Sequence, residues 1–589
     1  MPTLTFETDE ALGKIIAVDT ANVVVRVDDL ETLKTIQVNR LVALRSARAG
    51  QHLIGVVSRI TRKAGEAELS EDDESDPETP LPENNLVRIV LIGTLVDKIG
   101  LKDDVFKRTL ETVPEIDADC FPLEGGRLTA FMNAVSQVED GGPQLHLGSY
   151  ALDTEAVALL NGNRLFQRHA LVVGSTGSGK SYTVARILDQ ISDLSQANAI
   201  LFDIHGEYRT LDSDGFQHLR IAGPGDIRTG KGLEDGVLYL PYWLLGYEAL
   251  VSLFVDRSDQ NAPNQSMLMT RTIVEEKKRA LDDEAHADIL TNFTIDSPVP
   301  FSIEAVREKL DKLNTEMVAG ARGEKQGPYF DKLSRLIGRL EAKITDRRLG
   351  FIFQPPAECM EMEWLDDLTR ILMRGRTDQE NSEGGIKVID FSEVPSDVLP
   401  LMVSLVARLT FTVSQWLERE MRHPISLFCD EAHLYIPERS NSESVDEISV
   451  GIFERIAKEG RKYGCGLVVI TQRPSEVNKT VLSQCNNVIA MRLTNGEDQA
   501  VIRSLLPDSL AGFGELLPIL DLGEALVVGD ASLLPTRVMV AEPRYKPTSA
   551  TVDFWSEWTS DQRKGDTSDA VRAWRRQSLL LPTSGPGSD

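Results

Sequence analysis

Residues 171–188, LVVGSTGSGKSYTVARIL, constrain the fold more than any other stretch. An apolar run, Leu171 to Val173, enters a glycine-rich turn and meets a Lys-Ser pair. It leaves as a helix with Val184, Ile187, Leu188 and Ile191 on one face. Gly174, Gly179, Lys180 and Ser181 fit the spacing G-x-x-x-x-G-K-[ST] of a phosphate-cradling loop. Glycines let the backbone turn its N–H groups toward phosphate oxygens. Lys180 places a point charge on the β- and γ-phosphates, and the Ser181 hydroxyl is a ligand for Mg2+. Phosphate also meets the positive end of the helix that starts there. Gly174, Ser175, Thr176, Gly177, Ser178, Gly179, Lys180, Ser181 and Tyr182 are therefore expected to hold ATP with Mg2+. Such a loop requires a strand before it and a helix after it, which sets an α/β core.

The rest of the chain agrees with that core. From about 165 onward, short apolar runs alternate with helical segments. HALVVG, NAILFDIHGEY, IKVIDFSEV, ISLFCDEAHLY, GLVVITQRPS and NNVIAMRLTN read as parallel strands buried on both faces of a sheet. Residues about 240–380 interrupt the pattern with long helical stretches, such as MLMTRTIVEEKKRALDDEAH, and read as a helical insertion. GEALVVGDASLLPTRVMVAEP, 523–543, reads as a closing hairpin. Before the core, GKIIAVDTANVVVRVDD, QHLIGVVSRITRK and LVRIVLIGTLVD are short strands without helical periodicity. They predict a small β-barrel, with a turn at Asp19–Asn22. The acidic, Pro-containing stretch 66–85 reads as a loop. The last residues, LPTSGPGSD, read as a disordered end, while Trp555, Trp558 and Trp574 suggest that the preceding tail docks on something.

Composition limits what the core can serve. The 589 residues carry a formal net charge of -28, so a nucleic-acid contact must be confined to a channel or loop. Cys120, Cys359, Cys429, Cys465 and Cys485 are scattered, which suits reduced thiols. The opening MPTLTFETDE has neither a basic nor an apolar region, and no apolar run approaches the roughly 20 residues that span a bilayer. A cytoplasmic protein without a membrane partner is expected.

The second half of the site lies in ISLFCDEAHLY. Apolar residues lead to Asp430 and Glu431 at the carboxyl edge of a strand, where ligands of open α/β sheets bind. Asp430 is expected in the Mg2+ shell, through water. Glu431 is expected to point the other way out of the strand and to polarise the attacking water. Gln472, ending GLVVITQ, is placed to contact the γ-phosphate or that water. Asp203, in FDIHGEY with His205 and Glu207, is a further candidate for the metal. His205 reads as a hydrogen-bonded loop histidine, since no second ligand set has zinc spacing.

In this order, GSTGSGKS, FDIHGEY, FCDEAHLYIP, EGRKYGCGLVVITQRPSEV and LSQCNNVIAMRL resemble HerA-type ATPases of the HerA/FtsK superfamily, and 8–63 with 86–125 resembles the small HAS-type β-barrel of that family. The resemblance implies a RecA-like fold in a hexameric ring, with ATP at subunit boundaries and double-stranded DNA in the central channel. It implies that Arg461 in EGRKYG reaches a neighbour's nucleotide, and it matches Arg168 in FQRHALVVG to a second arginine; Arg473 is also close to the site in sequence. Basic residues in 321–348, among them Arg322, Lys325, Lys332, Arg335, Arg339, Arg347 and Arg348, are candidates for a basic pore, against the simpler reading of a solvated amphipathic face. The expected division is a β-barrel and linker over 1–150, the core over 151–240 and 381–545, the helical insertion over 241–380 and a tail over 546–589.

Two activities remain open at this stage. One is a DNA translocase that supports a partner nuclease or defence effector. The other is an ATP-regulated ring that assembles and controls a separate effector enzyme. A metabolic kinase is disfavoured by Glu431, because activating water is counterproductive when phosphate must reach another acceptor.

Overall fold

The computed structural model describes residues 4–48, 50–64, 83–96, 105–107, 109–136, 145–282, 286–320, 323–374, 385–439, 444–506, 513–532, 534–548, 554–559 and 567–576. The acidic stretch over 66–82, Arg322 and the final LPTSGPGSD lie outside the described residues. The chain forms two compact units. The first comprises residues 1–165, 487–492 and 506–541, and the second comprises 166–486, 493–505 and 542–589.

The first unit begins with the expected barrel. Its strands are β1 (Gly13–Asp19), β2 (Asn22–Arg26), β3 (Leu41–Arg45), β4 (Gln51–Ala64), β5 (Glu83–Val96), β6 (Val105–Lys107) and β7 (Asp119–Pro122). They run in the order β2-β1-β7-β3-β4-β5, and an antiparallel β2–β5 ladder closes the ring while β6 extends β5. Alternation along these strands sends Ile15, Val23, Val25, Val42, Leu44, Leu53, Val57, Val87 and Ile89 into one buried cluster. The long β4–β5 pair shifts register at Ile54/Gly55 and between Val57 and Arg59. Such bulges bend a strand enough to close a small barrel. After the barrel come β8 (Leu145–Tyr150) and β9 (Asp153–Leu160), which pair antiparallel.

The second unit holds β10 (Ala170–Val173), β11 (Ala199–Asp203), β12 (Phe216–Ile221) and β13 (Val237–Leu238). Next come a short hairpin, β14 (Met317–Gly320) and β15 (Gly323–Gln326), and then β16 (Ile386–Asp390), β17 (Ile425–Cys429) and β18 (Cys465–Thr471). Apart from the hairpin, these seven strands form a parallel sheet in the order β13-β12-β16-β11-β17-β18-β10. β10, β11, β17 and β18 are buried along their whole length, as their unbroken apolar runs require. Because every strand runs the same way, all their carboxyl ends share one edge.

The helical middle consists of Tyr247–Phe254, Ala262–Ala280, Ala287–Asn292, Ile303–Thr315, Ser334–Thr345 and Glu363–Met373, with β14 and β15 folded among them. Ser302 caps one helix by accepting the Ala305 N–H at 3.1 Å. Three of the basic residues here pair with carboxylates. Arg335 pairs with Asp259, Arg339 with Asp256 at 3.0 Å and Arg348 with Asp346 at 2.7 Å.

The remaining strands are β19 (Asn487–Met491), β20 (Glu524–Gly529) and β21 (Thr536–Val540). β20 and β21 form the expected hairpin, and β21 pairs with β8. The expectation that NNVIAMRLTN is a parallel strand is overturned for its partner β20, which it meets antiparallel. β19 is buried throughout, so its residues carry no sign of direction. Thus 381–545 is shared between the two units. Trp555, Trp558 and Trp574 of the tail helices are exposed.

Candidate nucleotide site

The carboxyl edge of the parallel sheet assembles the predicted residues. β10 delivers the chain into the turn, where Gly177 and Gly179 take φ of 75° and 105°, conformations that a side chain would strain. Helix Lys180–Ser192 follows, with Gly179 as its N-cap. Ser178 N–H donates to Ser175 O at 3.0 Å and closes the turn. The Ser175 hydroxyl lies 3.3 Å from Thr494 N–H and accepts it. Thr176 Oγ1 donates to Gln472 Oε1 at 2.5 Å, tying the loop to the end of β18. Gly174 is buried and Tyr182 half-buried.

Lys180 is buried and donates to Glu431 Oε1 at 2.6 Å and to Asp430 Oδ1 at 3.4 Å. Burial works against its ammonium, but Asp430, Glu431 and Glu207 outweigh that and hold its pKa above the ordinary value. Gln472 Nε2 donates to the same Glu431 oxygen at 2.7 Å. Burial would raise the Glu431 pKa, yet Lys180 and Gln472 keep it below the usual range, so this carboxylate is ionised at neutral pH. Its other oxygen, Oε2, is buried without a hydrogen bond, 3.3 Å from His433 Nδ1. For Asp430 burial wins; with Glu431 and Glu207 nearby it pushes the pKa up to about 6 despite Lys180.

One expectation is corrected here. Asp430 and Glu431 do not diverge as consecutive strand residues would; both reach Lys180. β17 ends at Cys429, and Glu431 adopts φ 45° and ψ 45°. The left-handed residue breaks the alternation of the strand and turns its side chain back to the loop.

Glu207 is a residue whose role the sequence left unassigned. Ser181 Oγ donates to Glu207 Oε2 at 2.9 Å. Asp203 holds the loop that carries it. Its two oxygens accept the backbone N–H groups of Glu207 and Tyr208, each at 3.0 Å. Burial, with the charges of Asp430 and Asp390, pushes the Asp203 pKa up to about 7 against the lowering effect of those donors. The sequence signal for Glu207 is its place four residues after a carboxylate that ends a buried strand. His205 is exposed in the same loop.

The arginines lie elsewhere. Arg168 precedes β10, and Arg461 lies in helix Ser444–Tyr463 just before β18. β10 and β18 are parallel neighbours, so both arginines sit at the amino edge of the sheet. The seven residues of β18 put about 20 Å between that edge and Gln472. His169 joins the two elements. Its Nε2 lies 3.0 Å from Ala457 O in the Arg461 helix, and its Nδ1 accepts Leu467 N–H at 2.9 Å. Arg473 is at the carboxyl edge but pairs with Glu476 at 2.9 Å.

The donor set suits a magnesium nucleotide. Ser181, Asp430, Glu207 and Glu431 offer hard oxygens, and the buried Ser178 Oγ and Glu431 Oε2 have no hydrogen-bond partner. Among the described residues no cluster of three His, Cys, Asp or Glu side chains holds a metal by itself. Mg2+ commonly takes one or two carboxylates and completes its shell with phosphate oxygens and water.

The chain resembles known proteins. Residues 145–410 match the family described as "Helicase HerA, central domain". The chain is 24% identical over 419 residues to the DNA double-strand break repair helicase HerA of Pyrococcus furiosus, covering 68% of this chain and 70% of the relative. It is 24% identical over 428 residues to the protein of the same name from Saccharolobus solfataricus, covering 71% and 72%. Among solved structures, VirB4 of Thermoanaerobacter pseudethanolicus matches with a TM-score of 0.44 at 16% identity, over 69% of this chain and 99% of that one. The plasmid coupling protein TrwB in complex with ADP and Mg2+ matches with 0.42 at 14%, over 72% and 93%. The chain is thus a P-loop ATPase whose residues 145–410 match the HerA central domain and which is similar to HerA helicases.

Proposed function

We propose that the chain is an ATP-hydrolysing motor that moves along double-stranded DNA as a ring of six copies, in support of a partner nuclease or defence effector. One observation carries this reading. Lys180, Asp430, Glu431 and Gln472 converge at one sheet edge, while Arg168 and Arg461 lie at the other. For Arg461 or Arg168 to act on the phosphates, it must then come from another copy. In the proposed cycle the loop N–H groups and Lys180 hold the triphosphate. Glu431, ionised and with one oxygen free of hydrogen bonds, accepts a proton from the attacking water. Gln472 links that carboxylate to Thr176 and so registers whether the γ-phosphate is present. A neighbour's Arg461 neutralises charge on the phosphoryl group, an effect worth about 10³–10⁵ in rate in related chemistry. Ser181 and Asp430 would hold Mg2+, which when bound neutralises phosphate charge.

DNA as the track rests on the named relatives, two of which are DNA double-strand break repair helicases. The net charge of -28 confines such contact to a channel or loop, and the inside of a ring would supply one. The test is ATP turnover by the purified chain with and without long duplex DNA. Stimulation that weakens as salt rises is expected. Turnover indifferent to duplex at any length would replace the motor with the ring that only assembles and controls another enzyme. Electron micrographs with ATP and duplex count the copies.

A further inference from the structure

We propose that Glu207 is a positioning residue for the metal of the nucleotide site, acting through Ser181, and that the segment Arg544–Thr548 is a strap that holds it in place. The proposal rests on the reading of this pocket as a magnesium-nucleotide site. A serine hydroxyl that ligates a metal offers a lone pair and must send its proton elsewhere. Here the proton goes to Glu207 Oε2, at 2.9 Å, and not to Asp430. The acceptor fixes rotation about the Ser181 Cβ–Oγ bond and so aims the lone pair. Asp430, by contrast, is engaged by Lys180.

Glu207 is held by its backbone from both sides. Its N–H donates to Asp203 Oδ1 at 3.0 Å. Its carbonyl accepts the Thr548 N–H at 2.8 Å and the Thr548 hydroxyl at 3.1 Å. Thr210 Oγ1, in the same loop, donates to Lys546 O at 2.7 Å. The other end of the strap grips the helix that Ser181 begins. Arg544 N–H donates to Asp189 Oδ2 at 2.5 Å, and its guanidinium donates to Asp189 O at 2.6 Å, Ser192 Oγ at 3.1 Å and Asp193 Oδ1 at 2.9 Å. One five-residue stretch therefore spans the helix bearing the metal ligand and the loop bearing its orienting carboxylate. The distance between Ser181 and Glu207 is set from outside the phosphate loop, by residues some 340 positions away in sequence.

The experiment uses the full chain and a fluorescent, slowly hydrolysed ATP analogue. Its affinity is measured in EDTA and across a Mg2+ titration, with thermal melts of each variant. Glu207→Gln and Glu207→Ala should keep the metal-free affinity within about twofold and lose about tenfold or more of the gain that Mg2+ brings, the alanine more than the glutamine. Thr548→Pro, which removes both donors to the Glu207 carbonyl, should lose about threefold of the same gain. An undiminished gain in the Glu207 variants overturns the positioning role, as does an equal loss with and without metal, which marks a structural one. An undiminished gain in Thr548→Pro overturns the strap. Lys180→Ala reports separately on the pocket: if it binds the analogue as the unaltered chain does, the underlying site assignment fails whatever Glu207 does.

Discussion

At Glu431 one carboxylate oxygen takes two hydrogen bonds, from Lys180 and Gln472, and the other takes none. On the proposed reading, binding and chemistry are thereby divided between side chains. Lys180→Ala is expected to abolish ATP binding, since no other buried cation faces Asp430 and Glu431 among the described residues. Glu431→Gln keeps the shape and the Gln472 contact but has no proton acceptor. It should bind ATP and lose at least about 100-fold in turnover; equilibrium binding beside a phosphate-release assay distinguishes the two variants. Asp203 has a different signature. Its reference pKa is 3.8 and its folded value about 7. Between those values the folded chain keeps a proton that the unfolded chain has released, so stability falls as pH rises through that window. The ligand-free protein should lose on the order of 1–3 kcal/mol from this group between about pH 5 and about pH 7.5. Denaturant melts of Asp203→Asn across that range should show a flatter slope.

Among the elements, the phosphate loop and its flanking strand and helix are legible in sequence because all their determinants are local. Glycines permit φ of 75° and 105°, and one apolar stripe buries the helix. The barrel hairpin is legible for the same reason: β1 ends at Asp19 and β2 begins at Asn22, where the turn was expected. What is not legible is set by partners far along the chain. Nothing in FDIHGEY says that its glutamate meets Ser181 or that Thr548 caps its carbonyl. Nothing in NNVIAMRL says that it will run against 524–529. The left-handed Glu431 is hidden too, since a D-E pair after a strand predicts alternation. Packing between helix Ser444–Tyr463 and β18 is local in sequence but depends on how tightly the chain turns between them. A Cβ on Gly460 would come 2.4 Å from the Cys465 carbonyl oxygen. Gly460→Ala should therefore push out the last helical turn, which carries Arg461, and cost about 1–3 kcal/mol. A chemical denaturation curve gives the loss, and ATP binding by the P-loop should be retained.

For the molecule as a whole, the edge with Lys180 and Glu431 and the edge with Arg461 stand apart. Mixing Arg461→Ala with unaltered chains tests whether they meet between copies. Activity should fall faster than the mutant fraction, because one altered copy disables a neighbour's site as well as disturbing the cycle. A fall in simple proportion would return Arg461 to its own chain. The same geometry has a consequence for assembly. If Arg461 acts between copies, the copies join head to tail, and a contact of that kind is never satisfied at both ends of a linear row. The rotation from each copy to the next then decides the outcome: a closed circle leaves no hungry terminus, while a rotation that misses closure winds on as a filament.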